Sequence, residues 1–97
     1  MPDPYEARLE AAAERLGQAM QKATPEEKEI LKASKEYLER WAEEQEKKGF
    51  VLDRSAFFAA AIIMHPGIQS EELIQAAHHY IEQNLLYRKA RQQSPAS

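Results

Sequence analysis

Three histidines are the side chains best equipped for chemistry in this sequence: His65, in IIMHPG, and the pair His78 and His79, in AAHHYIEQ. His78 stands four residues before Glu82, so on a helix the two project from one face and could ligate a single ion. His65 does not join them. A fold at Gly67 leaves His65 at the turn, while His78 lies about 12 Å further along a helix that rises 1.5 Å per residue. Two ligands are an incomplete zinc site, so the pattern predicts a histidine pair on an amphipathic helix, with no metal and no other cofactor.

Other reaction chemistries fare no better. With no cysteine there is no thiolate nucleophile, no disulfide and no Cys-based zinc site. Ser55 and Ser70 stand where helix caps are needed, and Gly17, Gly49 and Gly67 are too scattered to cradle a phosphate. The glutamates recur on what would be the solvated face of a helix, at spacings that follow exposure and not a paired acid and base. The expectation is a protein that is not an enzyme.

Nucleic acid is the next class. If Gly67 took the turn of a helix-turn-helix, Ile68, Leu73 and Ala76 would fall on apolar positions. Ile63 is too large for the close helix crossing, however, and Pro66 breaks the helix before the turn. The start of the second helix would then offer Gln69, Ser70, Glu71 and Glu72 to a polyanion. A ribbon-helix-helix dimer with GFVLDRS as its strand would need basic or amide side chains on one face, and only Arg54 qualifies. The net charge of −3 argues the same way. What keeps a DNA-binding regulator as the alternative is the C-terminal end, where Arg88, Lys89 and Arg91 follow the last acidic residue, Glu82. Cations there also suit the negative end of a helix dipole.

A chain of 97 residues is expected to make one domain, and 43% apolar with 30% charged residues is the balance of a chain with a packed core. The longest apolar run, Ala56 to Met64, falls well short of the about 20 residues that span a bilayer, and MPDPYE has neither the basic nor the apolar region of a signal peptide. A cytoplasmic protein is expected.

Asp3-Pro4-Tyr5-Glu6 and Thr24-Pro25-Glu26-Glu27 each set a capping side chain, then proline at the first helical position, then glutamate at the third. Pro25 also holds Thr24 out of helical geometry, so the first two helices meet at a tight joint. The first carries an alanine-rich stripe through Tyr5, Leu9, Ala12, Leu16, Ala19 and Ala23, which lets a neighbour approach closely. The second repeats the spacing through Leu31, Leu38 and Trp41, and stops at Lys47-Lys48-Gly49, cations and a left-handed cap. Three alanines inside AFFAAAIIM favour a third, short helix, capped by Asp53 or Ser55 and buried because every side is apolar. His-Pro-Gly ends it, and Ser70 caps a fourth that turns Leu73, Ile74, Ala77, Tyr80, Ile81 and Leu85 inward.

The resulting expectation is an all-α, four-helix bundle-like single domain over residues 1–97: helices at roughly 4–23, 25–48, 55–64 and 71–91, three long ones around a short buried one, and a frayed tail at 93–97. With catalysis, metal and DNA set aside, association remains. Tyr37, Trp41, Tyr80 and Tyr87 are amphipathic aromatics of the kind enriched at interfaces, and Leu86 beside Arg88 lies off the inward face. The second helix, at about 37 Å, is longer than the domain needs. The expected function is protein–protein interaction, as an adaptor, inhibitor or regulatory subunit, through a homodimer or docking surface on helices two and four.

Overall fold

The computed structural model describes residues 3–93, and they fold into four helices in chain order: α1 (Pro4–Gln21), α2 (Pro25–Lys47), α3 (Arg54–Met64) and α4 (Glu71–Gln93). The all-α, four-helix domain expected from the pattern is what forms. The tail beyond Gln93, expected to fray, lies outside the described residues.

Local chemistry sets the boundaries. At α2 the capping box is complete: Glu27 N donates to Thr24 Oγ1 at 3.1 Å, and Thr24 N donates to Glu27 Oε1 at 3.0 Å. At α1 the Asp3 carboxylate accepts from Tyr5 N at 2.9 Å. The first helix closes at Gln21, two residues before the expected end, because Lys22 is already its cap and Thr24 is held extended at φ −65°, ψ 160° ahead of Pro25. Helix α2 ends in a Schellman arrangement: Gly49 N donates to Glu46 O, Phe50 N donates to Gln45 O, and Gly49 takes φ +96°. Of the two candidate caps for α3, Asp53 is the one used, accepting from Ala56 N at 3.1 Å, so α3 begins at Arg54.

Helix α4 occupies the middle. It packs against α1 and against α3, while α2 lies on α3. Alanine makes this possible: Ala12, Ala19 and Ala23 from the α1 side and Ala59, Ala76 and Ala77 from α3 and α4 are all buried, with Leu16, Leu31, Ile62, Ile68 and Leu73 filling the core between. Small side chains let helix axes approach toward the short end of the usual 8–10 Å range.

The Cα atoms span 49 × 33 × 18 Å. Two helices packed at the usual distance span about 13–15 Å between their outer Cα atoms, so the molecule is a slab barely more than two helices thick. This thinness decides the environment of α3. Its Ala59 and Ile62 are buried, as expected of an apolar helix, but Phe57 and Met64 stand open to solvent at 43% and 80% exposure. An apolar helix is enclosed only if there are enough neighbours to surround it, and here one of its sides has none.

Gly67, in the turn before α4, does not need a left-handed backbone; it needs space. A Cβ there would sit 2.6 Å from Ile30 Cδ1 on α2 and 3.1 Å from the His65 ring. Because Ile30 Cδ1 is the far end of a side chain and can shift, Gly67→Ala is expected to lower stability by about 1–2 kcal/mol without unfolding the protein. A urea melt of the variant, with an unchanged slope and a lower midpoint, checks it.

Candidate interaction surface

Along α2, Ala33, Ser34, Tyr37, Leu38 and Trp41 recur at helical spacing, and along α3 so do Phe57, Ala60, Ala61 and Met64. Where the two helices lie together these sets form the walls of an open groove of about 530 Å³. Trp41 and Phe57 meet edge to face across it, with ring centroids 5.3 Å apart at 64°. Tyr37, 67% exposed, and Met64 stand over the opening. On the rim, Arg40 and Glu44 accompany Tyr37 and Trp41. Burial of apolar area is worth about 25 cal/mol per Å², so a contiguous apolar patch facing water is a surface that gains by being covered.

A second groove, about 540 Å³, runs along the other flank of α2 over Met20, Leu31, Leu38 and Phe58, and its edge carries Lys32, Lys35, Glu39 and Arg54. Leu38 lines both. The α2–α3 contact is therefore a narrow ridge with apolar ground on either side, and α2 is the helix least enclosed by the rest of the domain.

The expected interface residues divide. Tyr37 and Trp41 lie on the first groove, facing α3 and not α4, which lines no part of it. Tyr80 is half-buried against the core. Tyr87 is half-buried, its ring beneath the Arg91 guanidinium at 5.2 Å and its hydroxyl accepting from Arg91 Nη1. Leu86 is outward, as its register requires, but Leu85, expected inward, is the more exposed of the two at 61%. Asn84 takes the inward position instead, donating to Asp53 Oδ2 at 2.8 Å.

Asp53 also changes the reading of the basic C-terminal end. Burial pushes its carboxyl up, but the bonds from Asn84, the Ala56 amide and Arg88 outweigh that and hold it below the ordinary aspartate range. Arg88, which follows the last acidic residue in sequence, is thus paired with Asp53 across the fold. Arg91 is engaged with Tyr87, and Lys89 is exposed. The strand that a ribbon-helix-helix requires is absent: residues 50–53 form no strand among the described residues.

At the histidines, His65 Nδ1 accepts from Gly67 N at 2.9 Å, inside the turn, while His78 is exposed and His79 half-buried on α4. Among the described residues, no three His, Asp or Glu side chains gather where they could share a metal ion. The most heavily bonded carboxylate is Glu27, 3% exposed. It accepts from Thr24 N, the cap of its own helix, and reaches across to Gln69 N and Ser70 N, both at 2.8 Å, and to the Ser70 hydroxyl. Those donors, the Ser70 hydroxyl foremost, draw its pKa from 4.5 to about 2. Ser70, expected to cap α4 with its hydroxyl, donates that hydroxyl to Glu27. The carboxylate thus sits at the positive end of α4 and stitches it to the start of α2.

The chain matches no protein-family model, no curated protein and no solved structure. Of the groove residues, Phe57 and Met64 are not among those expected at a surface, because the apolar run predicts a buried helix. Their separation of seven residues places them on one face of α3, and that was the available signal.

Proposed function

We propose that this protein acts by protein–protein contact, as an adaptor, inhibitor or regulatory subunit with no reaction of its own, and that the α2–α3 face is its contact surface. The observation that carries this reading is the open groove in which Tyr37, Trp41, Phe57 and Met64 share one exposed apolar surface. Aromatic and methionine side chains with a mixed-charge rim are the composition of interface centres, whose anchors fill or form such grooves. No helix among the described residues is long and apolar enough to cross a membrane.

A photo-reactive amino acid placed at Met64 tests the reading. In host cells it is expected to give discrete protein adducts, and the same group at Glu14, exposed on α1, is expected to give none. Absence of adducts at Met64, together with retention on heparin that fades with salt and is lost on reversing Arg88, Lys89 and Arg91, would replace contact with DNA binding.

A further inference from the structure

We infer that the occupant of the α2–α3 groove is a second copy of this chain, packed about a two-fold axis; this deepens the contact reading and rests on it. The first support is area. A folded monomer of 11.1 kDa exposes about 5,700 Å², whereas this protomer exposes 7,099 Å². The excess, roughly 1,400 Å² spread over the whole surface, leaves room for the about 800 Å² that each partner gives to a standard stable interface. The radius of gyration agrees: 14.8 Å, against about 12.5 Å for a compact domain of this length. The protomer is shaped like part of a larger globule.

The second support is where the thinness falls. Helices α1 and α3 both pack along α4, whereas α2 packs along α3, meets the start of α4 through Glu27, and has apolar grooves on both flanks. A copy of the same slab laid on this face would give α2 further neighbours and cover the open side of α3 that carries Phe57 and Met64. Two-fold association requires a surface complementary to itself. The rim meets this condition because it carries both signs, Arg40 and Glu44, beside Tyr37 and Trp41, so an antiparallel crossing of the two α2 helices sets unlike charges against each other. A foreign partner would need no such self-complementarity.

Sedimentation equilibrium of the purified chain is the test. The expected mass is twice 11.1 kDa at micromolar concentration. The double variant Tyr37→Asp, Met64→Asp is expected to sediment as a monomer while keeping its helical circular dichroism, since both side chains are exposed in the protomer. Leu86→Asp, on α4, is expected to remain dimeric. Trp41, the one tryptophan in the chain, gives a readout that needs no variant: its emission is expected to move to the red when the wild-type protein is diluted below the dissociation constant.

A wild-type chain that stays monomeric up to submillimolar concentration overturns the second-copy inference, as does a dimer lost with Leu86→Asp but kept in the double variant. If that monomer still gives Met64 adducts with a different protein in cells, the inference fails and the contact reading stands. If it gives no adducts, both fail.

Discussion

Replacing Glu27 by alanine is expected to cost about 3 kcal/mol and to lower the thermal midpoint by roughly 10–20 °C, because four part-buried hydrogen bonds are lost at once. The Thr24, Gln69 and Ser70 amides and the Ser70 hydroxyl all converge on this one carboxylate. Gln69 and Ser70 stand at the entrance to α4, so the variant loosens both the start of α2 and the start of the central helix. Glu27→Gln is a sharper probe. It keeps the shape but turns an amide NH₂ toward groups that are themselves donors, so it is expected to fall between wild type and alanine.

The same residue makes stability depend on acid. Its folded pKa is about 2 against an ordinary 4.5, a depressed value, so the carboxylate favours the folded state fully above about pH 4.5. As pH falls from there toward 2, protonation removes that contribution. Urea midpoints measured across this window are expected to drop more steeply for wild type than for Glu27→Gln. Parallel curves would assign acid sensitivity to another group.

The second large effect is expected at Ile62. Its side chain is 2% exposed, within the cluster that contains Leu73, Ala76 and Ala77. Ile62→Asp removes an apolar side chain from the core, worth about 2–3 kcal/mol, and buries an unpaired polar group at a further cost of about 2–7 kcal/mol. The total is about 5 kcal/mol or more, comparable to the whole stability of a small domain. Loss of the cooperative thermal transition and of most helical circular dichroism is the expected result. Ile62→Val, at about 1 kcal/mol, should fold and serves as the control. A folded Ile62→Asp with a near-normal midpoint would show that α3 can leave the core without consequence. The contrast with Met64, two residues on, is informative: there an aspartate should leave the protomer folded.

Much of the architecture was legible in the residues. Thr24-Pro25-Glu26-Glu27 specified the start of α2, and Lys48-Gly49 its end, because caps are decided by bonds within four or five residues along the chain. The alanine stripe of α1 foretold a close neighbour. Among candidate surface residues, Tyr37 and Trp41, singled out for their amphipathic character, lie on the α2–α3 groove. Leu85 was placed on the wrong side, because helical register continues past the point where the core stops and cannot register that Asp53 would demand Asn84 instead.

Phe57 and Met64 show the limit of hydrophobicity as a measure of burial. Residues 56–64 are apolar on all sides, which predicts enclosure provided that enough other helices are there to enclose them. That proviso concerns packing angles and the total number of helices, and no local spacing contains it. Glu27 shows the same limit for polar groups: the capping box was written in the sequence, whereas its bonds to Gln69 and Ser70, 42 and 43 residues away, were not.

The sequence by itself determined that this chain is four helices and, to within about two residues, where each begins and ends; these follow from torsional preference, capping and periodicity, which act over one or two turns. Only the tertiary structure decided that α4 is the central helix, that Arg88 is paired with Asp53, and that α2 and α3 leave an apolar groove uncovered. Each of these depends on how a few alanine contacts set the distances and angles between helices, and that geometry exists only once the helices have met.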